Sequence, residues 1–155
     1  MTAFCDNRIL FSMKIISWNV NGIRACAKKG FLEYLSKEDP DILCLQEIKA
    51  NEEDIPPSLI NPNGYHCIFH SAQKKGYSGV ALYTKEKPSF VSEGFGFEKY
   101  DCEGRVIVAQ YDAFTLLNIY FPNGQRDLAR LQYKLDFYEE LFNYCEELKK
   151  DGQKL

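Results

Sequence analysis

At 155 residues, with 45% hydrophobic, 14% aromatic and 26% charged side chains, the chain has the composition of one ordinary globular domain burying about 70% of its unfolded surface, which excludes a wholly disordered, collagenous or low-complexity protein. Nineteen Lys and Arg against 22 Asp and Glu give a net charge of −3; this is not the footprint of a general nucleic-acid binder, although a bound divalent cation and a local basic rim can offset acidic surface elsewhere. Six scattered cysteines (5, 26, 44, 67, 102 and 145), no C-x-x-C pair and only two histidines, His66 and His70, argue against a zinc site or a disulfide framework and for reduced thiols in a cytoplasmic protein.

Residues 1–12 lack the cationic start and long apolar stretch of a signal peptide. They are set aside as a doubtful lead segment ahead of a domain spanning 13–155. Lys14–Val20 reads as a buried strand. Gly22 to about Lys37 carries apolar residues near the helical repeat and is stopped by Pro40. Asp41–Gln46 is a second apolar strand, and Asn51–Ile60, acidic and then carrying Pro56-Pro57, is a short helix or loop. Strands follow at Tyr65–His70 and Gly79–Thr84, joined by the loop Ser71–Ser78. Phe90–Glu93, Val106–Tyr111 and Phe114–Phe121 complete the strands, with turns at Gly104 and Asp112-Ala113. Leu128, Leu131, Leu135, Tyr138, Phe142 and Cys145, with Leu141 and Leu148 alongside, mark an apolar stripe on a helix from about Arg126 to Lys149. Lys149, Lys150 and Gly152 suit its end: cations at the negative dipole, then a left-handed cap. No apolar run approaches the roughly 20 residues of a membrane span. A strand followed by such a helix ordinarily returns to the sheet with another strand, and the sequence stops where that strand would begin. No internal repeat or linker is evident.

Three segments fall just past strand ends, where α/β proteins place their chemistry: Ser17–Gly22 (SWNVNG), Leu45–Lys49 (LQEIK) and Asn118–Asn123 (NIYFPN). Glu47 leaves the edge of an apolar strand, where a carboxylate is costly unless paired or metal-bound; one carboxylate with nearby carboxamides is a common magnesium arrangement. Asn19 and Asn21 can ligate a hard metal or orient a carboxylate. Tyr120 can donate to a phosphate oxygen. Asn123 to Arg126 place polar groups at a helix start, and the loop Lys74–Gly79 (KKGYSG) combines charge with an aromatic ring suited to a phosphate backbone. Each segment singly has an ordinary reading as well. Glu47 fits a surface ion pair with Lys49, Asn21-Gly22 a turn, Tyr120 a core tyrosine with its hydroxyl at the rim, and Lys74–Gly79 a solvated hairpin. Arg105 fits either a phosphate contact or a surface ion pair.

Taken together and in this order, SWNVNGIR (17–24), LQEIK (45–49), KKGYSGVALYTK (74–85), EGRV (103–106) and NIYFPNGQRD (118–127) resemble the exonuclease III family of apurinic/apyrimidinic endonucleases. The resemblance runs from about Met13 to the end. It implies part of a four-layer, deoxyribonuclease-like α/β sandwich with mixed, largely antiparallel sheets. It implies Glu47 as magnesium ligand (manganese as an alternative), with Asn19 and Asn21 at or beside the metal and Asn19 holding the catalytic network. Tyr120 would be the catalytic group at the scissile phosphate, and Lys49, Tyr77, Arg105, Asn123 and Arg126 would line the DNA path. The implied substrate is duplex DNA with abasic sites or 3′ ends. The implied reactions are cleavage 5′ to the abasic site and 3′–5′ exonuclease and 3′-phosphatase action, by a usually monomeric protein.

The family pattern also includes a G-D-x-N segment after the long helix and a later S-D-H segment that supply the catalytic base, and this sequence contains neither. The chain therefore reads as the N-terminal part of such an enzyme, ending before its second sheet and its base, inactive alone and prone to self-association. Two alternatives stand beside this reading: another branch of the same fold, a phosphatase or non-specific deoxyribonuclease, and a non-catalytic DNA-binding module.

Overall fold

The computed structural model describes residues 12–62, 64–124 and 127–155. The lead segment 1–12, except Ser12, lies outside them, as does Arg126. In chain order the elements are β1 (Ile15–Asn19), α1 (Ile23–Ala27), α2 (Phe31–Glu38), β2 (Ile42–Gln46), a 3₁₀ turn (Glu52–Asp54), α3 (Pro57–Ile60), β3 (His66–His70), β4 (Val80–Thr84), β5 (Phe90–Glu93), α4 (Glu98–Asp101), β6 (Val106–Gln110), β7 (Thr115–Ile119) and α5 (Leu128–Lys150).

The strands form two sheets, in the orders β1-β2-β4-β3 and β5-β6-β7. Only the β1–β2 pair is parallel; the other pairs are antiparallel. Period-two alternation sorts the side chains between layers. Leu43, Leu45, Ala81 and Tyr83 face α1 and α2, packing with Ile23, Phe31 and Leu35. Ile42, Cys44, Val80 and Leu82, on the opposite face, meet Ile107 and Ala109 of the second sheet. Val106 and Val108 then pack with Phe95, Tyr100, Phe137 and Leu141 under α5. The result is helix, sheet, sheet, helix. This corrects the expectation that the sequence ends before the second sheet, because three strands of that sheet and its covering helix lie within it.

Three further differences from the sequence reading have physical causes. The helix expected over 22–37 is two helices, because Gly30 takes a left-handed conformation (φ 95°) that only glycine adopts freely and the axis changes there. β1 has only β2 as a neighbour among the described strands, so Ile15 is exposed and the strand is half-buried rather than buried. Only part of the stripe read on α5 packs: Phe137 and Leu141, with Tyr133, Tyr138, Tyr144 and Cys145 alongside, face the sheet, while Leu128 is 84% and Phe142 65% exposed. The helix carries two apolar faces, and the sheet takes the aromatic one, whose rings meet Phe95 and Tyr100 edge-on.

The ends of α5 match their sequence signals. The carboxylate of Asp127 accepts from the Arg130 backbone N–H (2.7 Å) as an N-cap. At the other end Gly152 N–H donates to Lys149 O and Gln153 N–H to Leu148 O, both at 3.0 Å, the two bonds of a Schellman cap. The chain then meets the free edge of β7, where Thr115 N–H donates to Lys154 O (2.6 Å). The exposed stripe of Leu128, Leu131, Leu135 and Phe142 makes this chain prone to associate. Sedimentation velocity is expected to show concentration-dependent association that Leu131→Glu with Phe142→Glu suppresses; a monomer at all concentrations contradicts this.

Candidate active site at the strand ends

β1 and β2 run parallel and end in register at Asn19 and Gln46. Beyond them the backbone continues as a tight weave: Gly22 N–H donates to Glu47 O (2.7 Å), Ile23 N–H to Ile48 O, Ile48 N–H to Gly79 O and Lys49 N–H to Ser78 O. The weave holds four non-glycine residues in the left-handed region, namely Asn21, Glu47, Lys49 and Ser78 (φ between 47° and 55°). Each such residue costs about 1–2 kcal/mol in an L-chain. Strain of this kind persists only where surrounding bonds over-determine it, and it concentrates at functional sites.

Glu47 is the centre. Asn19 Nδ2 donates to its Oε1 at 2.8 Å, and Lys49 Nζ lies 2.8 Å from Oε2. Tyr120, the residue after β7, is the third group that acts on its ionisation. Burial raises the Glu47 pKa, but Asn19, Lys49 and Tyr120, together with the Lys49 charge, outweigh it, so the carboxyl ionises below its ordinary range. Burial and the neighbouring Glu47 carboxylate push the Tyr120 phenol up to about 12 against the opposing charge of Arg105. Tyr120 is therefore a protonated donor at neutral pH, beside an ionised acceptor. Asn19 Oδ1 accepts from the Asn21 backbone N–H (3.1 Å), so its amide is turned to Glu47. Asn21 Oδ1 accepts from Lys49 Nζ.

Glu47 and Tyr120 come from different sheets, and a buried polar tie beneath them sets their separation. Asn118, 2% exposed on β7, donates to Ala81 O (2.8 Å) and Leu45 O (3.2 Å) in the first sheet. Its Oδ1 accepts from Gln46 Nε2 (2.8 Å), which also donates to Ser17 Oγ (3.1 Å). The sequence reading gave neither Asn118 nor Gln46 a role. A carboxamide inside the apolar run TLLNIYF was the available signal, since a polar group there must find buried partners.

Sequence reasoning also missed the group behind Tyr120. Arg105 was placed on the DNA path; the structure buries it at 1% exposure, with its guanidinium committed to protein groups. Glu103 binds both Arg105 (2.6 Å) and Arg130 (3.1 Å) and accepts from Tyr133 (2.9 Å). Tyr77, from the loop between β3 and β4, accepts from both arginines. Gly104 is required between Glu103 and Arg105: with φ 60°, a Cβ there would lie 2.6 Å from both His70 O and Ser71 C. His70, which carries no catalytic role in the sequence reading, is buried, and its Nδ1 donates to Val106 O (2.8 Å). Asn123 is exposed three residues beyond Tyr120. Among the described residues, no three His, Cys, Asp or Glu side chains converge on one point.

Burial raises the Glu103 pKa, but Arg130, Arg105 and Tyr133 lower it further, leaving it below the usual 4.5. A carboxyl whose folded pKa is depressed contributes stability that is present above its unfolded pKa and lost as pH falls through the folded one. The gap in melting temperature between wild type and Glu103→Gln is therefore expected to be full at neutral pH and to close as pH falls below 4.5; a gap that does not change with pH contradicts the assignment.

Residues 16–155 match the Endonuclease/Exonuclease/phosphatase family. The chain belongs to that family. Among its relatives, a DNA-(apurinic or apyrimidinic site) endonuclease of Dictyostelium discoideum is 46% identical over 138 residues, which are 88% of this chain and 38% of the relative. An exodeoxyribonuclease of Bacillus subtilis is 44% identical over 137 residues, 88% of this chain and 53% of the relative. The solved structure of a Neisseria 3′ phosphatase bound to a product DNA hairpin superposes with a TM-score of 0.79 at 29% identity, covering 90% of this chain and 53% of that one. The chain thus spans about half or less of the length of the relatives it matches. No helix among the described residues is long and apolar enough to cross a membrane.

Proposed function

We propose that this chain forms the metal-holding and phosphate-facing part of a DNA repair nuclease that hydrolyses the phosphodiester 5′ to abasic sites in duplex DNA, with 3′–5′ exonuclease and 3′-phosphatase activity on 3′ ends. The observation that carries this reading is Glu47 held by Asn19 and Lys49 where the first sheet's parallel strands end, its ionisation coupled to Tyr120 of the second sheet. The names of the relatives, which include an abasic-site endonuclease, an exodeoxyribonuclease and a 3′ phosphatase, support the same chemistry.

The donor set fits magnesium, with manganese as the alternative: one ionised carboxylate flanked by carboxamides suits a hard ion that takes its remaining ligands from water and phosphate. Glu47 would hold it, with Asn21 beside it and Asn19, whose amide faces Glu47, orienting the carboxylate. When bound, the ion would neutralise charge on a phosphate oxygen. Tyr120, held protonated, would donate to an oxygen of the scissile phosphate as its negative charge grows. Lys49, Tyr77, Asn123 and Arg126 would follow the DNA backbone as charge and hydrogen-bond partners. The residues that activate water would come from the G-D-x-N and S-D-H segments absent from this sequence, so the chain alone is inactive. The full protein acts as a monomer in the cytoplasm, a compartment in keeping with the free thiols of Cys26, Cys44, Cys67, Cys102 and Cys145.

The test is cleavage of an abasic duplex, with magnesium or chelator, by this chain and by a version extended downstream through both missing segments. Magnesium-dependent incision 5′ to the abasic site by the longer protein alone is expected. Turnover by the 155-residue chain removes the claim of inactivity, and hydrolysis of lipid or inositol phosphates in preference to DNA removes the substrate assignment.

A further inference from the structure

We propose that Arg105 is a positioning residue: it fixes Tyr120, Tyr77 and the start of α5 as one unit from beneath the surface, rather than binding phosphate itself. This rests on the reading of Tyr120 as the phosphate-facing donor.

Tyr120 N–H donates to Arg105 O (2.8 Å), and Arg105 Nη1 donates back to Tyr120 O (3.0 Å), so one residue holds both backbone polar groups of the other. The Arg105 guanidinium carbon lies 5.1 Å from the centre of the Tyr120 ring, a cation–π distance. Backbone and ring are thus both constrained. The remaining donors of Arg105 reach Glu103 Oε2 (2.6 Å) and Tyr77 Oη (3.1 Å). Glu103 in turn pairs with Arg130, whose Nη2 donates to the same Tyr77 oxygen (2.6 Å). The β6 start, the β7 end, the loop carrying Tyr77 and the first turn of α5 therefore meet at one buried guanidinium.

A planar fork with several donors can serve these partners at once; an ammonium cannot. At 1% exposure, Arg105 offers no surface to a DNA backbone, and its charge is compensated by Glu103. A positioning role and a phosphate-contact role therefore predict opposite behaviour for Arg105→Lys, which keeps the charge and loses the fork.

The experiment has two arms. In the 155-residue chain, tyrosine ring carbons are labelled and the Tyr120 resonance is assigned with Tyr120→Phe. Arg105→Lys is expected to shift or split that resonance, and Tyr133→Phe, which removes one donor to Glu103, to shift it less. In the extended protein, Arg105→Lys is expected to lower kcat about 100-fold, the scale of a 1 Å misplacement, with KM and the salt dependence of DNA binding unchanged. If Arg105→Lys does not fold, the Tyr133→Phe resonance decides. An unmoved Tyr120 resonance in the folded variants overturns the proposal. So does an Arg105→Lys enzyme with wild-type kcat, or a raised KM accompanied by a salt slope reduced by about one. The resonance arm needs no turnover, so an inactive extended protein would count against the proposed function and not against this assignment.

Discussion

Asn118→Ala is expected to lower the unfolding free energy by about 1–3 kcal/mol, because three groups each lose one buried hydrogen bond while Gln46 Nε2 keeps its bond to Ser17 Oγ. Those groups are Leu45 O, Ala81 O and Gln46 Nε2, and the partner is 2% exposed. Denaturant unfolding at constant m-value measures the loss. Asn118→Leu, of similar volume, is expected to be as damaging, since it fills the space but supplies no donor. A loss below about 1 kcal/mol in both variants would mean that these carbonyls find other donors. The same substitution should loosen the separation of Glu47 and Tyr120, because Gln46 precedes one by a single residue and Asn118 precedes the other by two.

Glu47→Gln and Tyr120→Phe carry the largest expected effects on activity. In a protein extended to include the catalytic base, each is expected to reduce magnesium-dependent incision by about 10²–10³-fold, the range found when one donor to a developing oxyanion is removed. Glu47→Gln keeps the shape but removes the charge that would hold the metal; it is expected to weaken the response to magnesium as well. Tyr120→Phe keeps the ring over Arg105 and removes only the proton donor. Because the two side chains act on each other's ionisation, their effects should not add: the double variant should fall close to the worse single one. Additive losses would mean that the two act independently. A Glu47→Gln enzyme with an unchanged magnesium response would remove Glu47 from the metal site.

Much of this was legible in the residues. The apolar runs in DILCLQ and VALYT, the Gly152 cap and the punctuation by Pro40 and Gly104 put the strands and the long helix close to where they lie. Glu47, Asn19 and Tyr120 stood out because polar groups at the ends of apolar strands need partners, and the structure brings those three together. What the residues hid was three-dimensional. Burial of Arg105 depends on a loop thirty residues earlier approaching Gly104. Nothing in the local pattern of α5 distinguishes the face led by Leu131 from that led by Phe137; the aromatic wall of Phe95 and Tyr100 decides it. The left-handed backbone at Glu47 and Lys49 has no compositional cue, because these are not residues that favour it.

The tie at Asn118 also bears on the order in which the chain assembles. β3 with β4, β5 with β6 and β6 with β7 are pairs of neighbours in sequence, so their closures are entropically cheap. The hydrogen bond from Asn118 to Leu45 O spans 73 residues, and long closures come late when local pairing is available. The loss of Asn118 should then show mainly as faster unfolding, with the refolding rate little changed. The geometry that sets Glu47 against Tyr120 would be among the last contacts made on the way to the native state and among the first lost.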